Sequence, residues 1–303
     1  MTPIQHAAAK ARNLTEALPW ISRSEGKTFV IKYGGAAMVD EELRDSFARD
    51  VTLLKKVGVR VAIVHGGGKE ITETATKLGI ETRFVDGQRY TCEDTVDVVQ
   101  MVLAGRTNTD IVRRINLQDG DAVGLSGVDA GLLRAEKFTE NGADLGLVGN
   151  ITEVRPQHIE LLLSNGFMPV IAPLGVDENG TVYNINADVA AAKIAEALKA
   201  EKLVYLSDVE GILKDGERVT NITEPRAEEL ISSGVISKGM IPKVRSAFDA
   251  LNAGVGRVHL IDGREKHSLL LEIFTDKGVG TMLVRGEPEG ACQKKSACSP
   301  SNS

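Results

Sequence analysis

Cysteine, aromatic side chains and surplus positive charge are all scarce in this sequence of 303 residues. Three cysteines (Cys92, Cys292, Cys298) form no CxxC pair and two lie in a polar tail, so neither a disulfide framework nor a cysteine-built zinc site is indicated. Five histidines without HExxH-like spacing leave protein-ligated metal without a signature. One tryptophan, four tyrosines and seven phenylalanines are too few for stacking platforms along a nucleic-acid strand. With 36 basic against 42 acidic residues, a formal net charge of −6, no basic groove for nucleic acid is expected either. The longest uncharged run, 161–176, carries Ser164, Asn165, Gly166, Pro169 and Pro173, so it cannot be a spanning helix. No apolar leader follows the first charges. The expectation is a soluble cytoplasmic protein that engages neither nucleic acid nor membrane.

What is present is a globular share of hydrophobic residues, 42%, and 31 glycines. Residues 4–18 are alanine-rich and weakly amphipathic, and Pro19 is expected to close that helix. A frayed terminal helix and an oligomerisation arm both fit. From Thr28 onward apolar runs alternate with helical periodicity. Strands are expected at 28–32, 59–64, 167–172, 202–206, 256–261 and 281–284. Helices are expected near 43–57, 69–78, 93–116, 156–164, 187–199, 224–233 and 241–253. Around the glycines of 121–138 and 147–154, hairpins are expected. This alternation implies an α/β fold, a three-layer αβα sandwich on a mostly parallel sheet, plus the N-terminal helix. Ligands in such sheets gather at the carboxyl ends of the strands.

The loops there are distinctive. His65-Gly66-Gly67-Gly68-Lys69 follows a buried strand and opens a helix, so backbone N–H groups can approach an anion unobstructed by Cβ. It is neither a Walker A loop nor GxGxxG, and a tight strand-to-helix turn would also explain it. Lys32-Tyr33-Gly34-Gly35 ends the first strand with an ammonium beside a second glycine turn, although a snorkelling surface lysine is the plain alternative. Lys243 follows Pro242 near a helix N-terminus, where a cation is disfavoured by roughly 0.3–1 kcal/mol. Asn184-Ile185-Asn186-Ala187-Asp188 opens another helix with more polar side chains than one cap needs, with Asn186 or Asp188 as the cap. Arg89, in Asp86-Gly87-Gln88-Arg89-Tyr90-Thr91, suits bidentate carboxylate recognition, or is simply a solvated loop arginine. Ser207-Asp208 ends a buried strand ahead of Gly211.

Taken jointly, Lys32 to Gly35, His65 to Gly68, Asn184 to Asp188, Ser207 to Gly211 and Gly239-Met240-Ile241-Pro242-Lys243 resemble the amino acid kinase family. The motifs stand in order from about 28 to 285. Segments 86–91 and 184–188 look like the branch that acts on N-acetyl-L-glutamate. Single motifs are shared with carbamate, aspartate, glutamate 5- and uridylate kinases. The resemblance implies ATP-dependent phosphorylation of the side-chain carboxylate of N-acetyl-L-glutamate in arginine biosynthesis, with Mg²⁺ arriving on the ATP. It implies an N-terminal helix at 1–21, an acyl-substrate lobe at 22–200 and an ATP lobe at 201–286. The run 287–303 extends past the usual family end and reads as disordered. By the same resemblance Lys32, Lys243 and Asp188 are catalytic. Gly67, Gly68, Arg89 and Asn184 hold the acyl substrate, and Gly34, Gly35, Ser207, Asp208 and Gly211 hold the nucleotide. Arginine-inhibited members interlace dimers into a hexamer through an extra N-terminal helix. Residues 4–18 and Trp20 look like that helix. Lys202, His259, Glu272 and Gly278 fall where the arginine pocket would lie. Arginine as inhibitor, a homohexamer (a trimer of dimers) and a PII-type signal protein are therefore the candidate regulators and partners.

Overall fold

Strands that read as nearly continuous apolar runs end up covered on both faces, as a parallel sheet requires. The protein is described here from a computed structural model that covers residues 2–85, 87–139, 144–237, 239–275 and 278–286. The tail at 287–303, expected to be disordered, lies outside the described residues. The central sheet is built from β1 (Thr28–Tyr33), β2 (Arg60–His65), β3 (Ala122–Ser126), β4 (Met168–Ala172), β5 (Lys202–Ser207), β6 (Asn221–Ile222), β7 (Arg257–Asp262) and β8 (Thr281–Leu283). Its order is β6-β8-β7-β5-β1-β2-β4-β3, with every neighbouring pair parallel except β7 with β8.

Alternate residues of β1 feed two cores. Val30 packs with Ala190, Ala191, Val244 and Leu251, whereas Phe29 and Ile31 pack with Val51, Leu54 and Ile273. The first core is closed by α6 (Gln157–Ser164), α7 (Ala187–Ala197), α8 (Glu224–Ser232) and α9 (Met240–Asn252). The second is closed by α2 (Glu41–Lys56) and α5 (Asn108–Asn116), with α10 (Ser268–Phe274) beside them. This is the expected three-layer arrangement. Around α3 (Gly68–Lys77) and α4 (Glu93–Gln100) a third apolar cluster includes Ile71, Val99 and Leu103.

Two expectations are corrected. Pro19 does not close the first helix: α1 runs Pro3–Ser24 straight through it, beyond the expected end at 21. A proline deletes one i→i−4 hydrogen bond, and on an exposed helix water can satisfy the freed carbonyl, so the helix bears the loss. Residues 121–138 are not all hairpin either. β3 joins the main sheet parallel to β4, and the hairpin pairs 133–137 with 149–154. That hairpin belongs to a second, four-stranded sheet with 174–176 and 182–184. The expected helix over 93–116 is present but contains a π-helical stretch, Met101–Thr107, between α4 and α5. No helix among the described residues is long and apolar enough to cross a membrane.

Candidate active site at the strand carboxyl ends

Because β1 lies between β2 and β5 and all three run parallel, their carboxyl ends present Tyr33, His65 and Ser207 side by side. Lys32 therefore stands at the centre of the sheet's upper rim, and it is not a snorkelling surface lysine. Its Nζ lies 3.0 Å from Asp188 Oδ1, and Lys243 Nζ lies 3.4 Å from Asp188 Oδ2. Asn186 is the cap of α7, accepting from the N–H groups of Asp188 and Val189, so Asp188 is left free to join the two lysines. Burial works to raise the Asp188 carboxyl, yet the charges of Lys32 and Lys243 outweigh it and hold it below the usual carboxylate range.

The first glycine loop is shaped by both neighbours. A Cβ on Gly34 would stand 2.6 Å from Lys32 Nζ, and one on Gly35, at φ +68°, would stand 2.2 Å from Asp208 Oδ1. Asp208 comes from the end of β5 and accepts a hydrogen bond from Ala36 N, fastening that loop. Ser207 is turned inward, its hydroxyl within 3.3 Å of the carbonyls of Val209 and Ile261. Gly211, at φ +106°, makes the turn that sets Ile212 N against Thr281 Oγ1 at 2.9 Å. Gly34, Gly35, Ser207 and Asp208 thus lie together at the strand ends, with Gly211 just beyond.

Next to them is a cavity of about 210 Å³, walled by Gly67, Gly68, Arg89, Leu103, Asn184 and neighbouring residues. Arg89 is buried, not a solvated loop arginine. Its Nη2 donates to Gly68 O (2.8 Å) and Thr72 Oγ1 (2.7 Å), and its guanidinium lies 4.7 Å from the Phe84 ring centroid. Its Nη1 is buried with no partner among the described residues. A buried guanidinium N–H without a partner, on a residue that lines a cavity, is chemically suited to a carboxylate. Asn184 Nδ2 donates to Thr91 Oγ1 at 3.2 Å, and Thr91 Oγ1 donates to Arg89 O at 3.2 Å. Thr72 and Thr91, the supports of Arg89 and Asn184, were not singled out in the sequence, where a threonine carries no signal of its partner.

A second polar cluster sits on the other half. His259 Nδ1 lies 2.6 Å from Glu272 Oε1, while Glu272 Oε2 accepts from Val279 N (2.7 Å) and Gly280 N (2.9 Å). Gly278, at φ +58°, packs so closely that its Cβ would fall 2.5 Å from that carboxylate. Burial, with Arg257 nearby, pushes the Lys202 ammonium down to about 8. Burial likewise pushes His259 down, and its Nε2 has no partner among the described residues. Burial alone would raise Glu272, but His259 and the two backbone N–H groups hold it below the usual range. Trp20 is on α1, beside the Arg23 guanidinium, and α1 rests against α10, which carries Glu272.

A model of the amino acid kinase family matches residues 27–262. The acetylglutamate kinase of Chlorobaculum tepidum is 58% identical over 271 residues, 89% of this chain and 95% of its own. That of Aquifex aeolicus is 56% identical over 290 residues, 91% of this chain and 97% of its own. The N-acetylglutamate synthase from Neisseria gonorrhoeae complexed with coenzyme A and N-acetyl-glutamate superposes with a TM-score of 0.82 at 27% identity, over 91% of this chain. This chain spans only 63% of that synthase. The same synthase with coenzyme A and L-arginine superposes at 0.77 and 26%, over 91% of this chain and 65% of the synthase. A match of this reach, joined to a rim that sets two lysines between glycine loops, leaves one conclusion: the chain belongs to the amino acid kinase family.

Proposed function

We propose that this protein transfers the terminal phosphoryl group of Mg·ATP to the side-chain carboxylate of N-acetyl-L-glutamate, making N-acetyl-L-glutamyl 5-phosphate for arginine biosynthesis. The observation that carries the reading is Asp188 gripping Lys32 and Lys243 at 3.0 and 3.4 Å between the two glycine loops. An ionised carboxylate is already a nucleophile, so no general base is needed. Its oxygen attacks the phosphorus, the bond to the bridging oxygen breaks, and ADP departs with the electron pair. What the protein must supply is alignment and cancellation of the charge on the equatorial oxygens. Two ammonium groups held by one carboxylate, with backbone N–H donors at the start of α3, meet that need. The buried, unpartnered Nη1 of Arg89 supports capture of the substrate's α-carboxylate, with Asn184 also lining the cavity. The relatives from Chlorobaculum tepidum and Aquifex aeolicus carry the same activity in their names. ATP consumption measured with N-acetylglutamate, glutamate, aspartate, carbamate and UMP tests it. Turnover with the N-acetyl compound is expected, and activity on free glutamate alone would overturn the substrate assignment.

Feedback inhibition by arginine and a hexameric assembly belong to the same proposal. Lys202, His259, Glu272 and Gly278 converge with Glu272 as the anionic group suited to a guanidinium. Along α1, Leu14 and Leu18 are exposed at 74% and 58%, an apolar surface open to a second copy. Sedimentation showing a dimer whose activity ignores millimolar arginine would refute both.

A further inference from the structure

The buried side chain behind the second glycine loop is not used by the reaction as written. His65 ends β2 with no exposed surface. Its Nδ1 lies 2.8 Å from Gly66 O, and its Nε2 lies 3.1 Å from Asn108 Nδ2, which is also 2.9 Å from Val170 O. The two outer groups are carbonyls and can only accept. The atom of Asn108 facing Val170 must then be the NH₂, and the imidazole nitrogen facing Gly66 must carry the proton. Asn108 donates to Nε2, and Nδ1–H donates to Gly66 O. The chain of bonds thus admits a single neutral tautomer. A second proton on Nε2 would point at the Asn108 NH₂, and burial independently pushes this histidine down to about 4.

The consequence falls on one peptide plane. Gly66 is held on both sides, its N–H donating to Tyr33 O at 2.8 Å and its C=O accepting from His65. In a trans peptide the carbonyl of one residue and the N–H of the next point in opposite directions, and no cis bond occurs among the described residues. Gripping the Gly66 carbonyl from behind therefore turns the Gly67 N–H away from His65. Gly66, Gly67 and Gly68 all line the cavity. As the cap of α3, Gly67 has an N–H with no intrahelical acceptor.

We propose that His65, locked in its Nδ1–H tautomer by Asn108, is a positioning residue that aims the Gly67 N–H at the oxygens of the group being transferred. This rests on the phosphoryl-transfer reading above. It acts through the peptide and touches no substrate, so its signature is a loss in kcat that outweighs any change in KM.

His65→Leu keeps a similar volume and removes the donor, whereas His65→Asn restores an N–H near the Nδ1 position. Steady-state kinetics on the full-length protein should show kcat for N-acetylglutamate phosphorylation lowered about 100-fold in His65→Leu. KM for ATP should stay within about threefold, and His65→Asn should recover at least tenfold of the lost kcat. The wild-type imidazole ¹⁵N shifts should report protonated Nδ1 and unprotonated Nε2 at pH 7. A His65→Leu variant with wild-type kcat would overturn the proposal. So would equal losses in both variants, which would mean packing alone, or shifts showing a protonated Nε2. A wild-type protein inactive toward every acceptor would strike the phosphoryl-transfer reading instead, while the nitrogen shifts would still decide the tautomer.

Discussion

Asp188 answers two demands at once, keeping two ammonium groups close together and keeping itself charged to do so. Without it Lys32 and Lys243 would repel across a half-covered cleft, and a lysine near the N-terminus of α9 would have nothing to offset the helix dipole. Lys243→Ala is expected to lower kcat by two or more orders of magnitude in a steady-state assay, with an unchanged circular dichroism spectrum. Near-normal turnover would remove Lys243 from the mechanism. Gly35 makes a different prediction. A Cβ there meets Asp208 Oδ1 at 2.2 Å, and φ +68° is itself costly for a side chain, so the loop must shift away from Asp208. Gly35→Ala should raise KM for ATP at least tenfold in a steady-state assay, with an unchanged circular dichroism spectrum. Lysines and glycines at strand ends were legible because their residue types are unusual there. Thr72, Thr91 and Asn108 were not, since their roles depend on partners far along the chain.

At the scale of elements, the helix over 93–116 shows what periodicity can and cannot reveal. Thr95, Val99, Leu103, Thr107, Ile111 and Ile115 are all buried, a spacing of four sustained throughout. On a regular α-helix each such step overshoots the turn by about 40°, so the stripe would wind away from the core. The wider turn of Met101–Thr107 absorbs part of that drift and brings Leu103 to Gly67 and Asn108 to His65. If the stretch holds one residue in excess, removing exposed Gly105 should leave a folded chain with cooperative thermal unfolding. Removing Val112 from α5 should rotate Ile115 out of the core and abolish that transition. Equal damage from both deletions would refute this account. Most helix and strand positions from Thr28 onward were readable because the apolar periods are strong, whereas α10 and β6, at seven and two residues, were too short to show one. The end of α1 was not, since proline argues locally against a helix whose exposed face tolerates the missing bond, and the short strands at 174–176 and 182–184 are set by tertiary pairing.

For the whole molecule, net charge says little about the site and more about acid stability. His65 and His259 are both pushed down by burial, so the unfolded chain takes up their protons first and stability falls as pH drops below about 6.5. For His65 alone the loss at pH 4.5 is roughly 2–3 kcal/mol. Asp50 runs the other way. Burial raises its carboxyl to about 6 despite the His267 imidazole 2.6 Å away, so the native state takes up that proton first and is relatively favoured as pH falls from about 6. Urea unfolding midpoints should drop between pH 7 and 4.5, and Asp50→Asn should steepen the drop. Parallel profiles would contradict the opposing signs. The central place of β1 has a consequence in time. Its partners are β2, made soon after it, and β5, in register Phe29 with Lys202. Everything from 34 to 201 must be synthesised before that second edge is covered, on the order of ten seconds at ribosomal speed. Until then an apolar strand stands open to pairing with the wrong neighbour. Lys243 joins Lys32 at Asp188 later still, so a nascent chain covers its central strand first and arms its rim only afterwards.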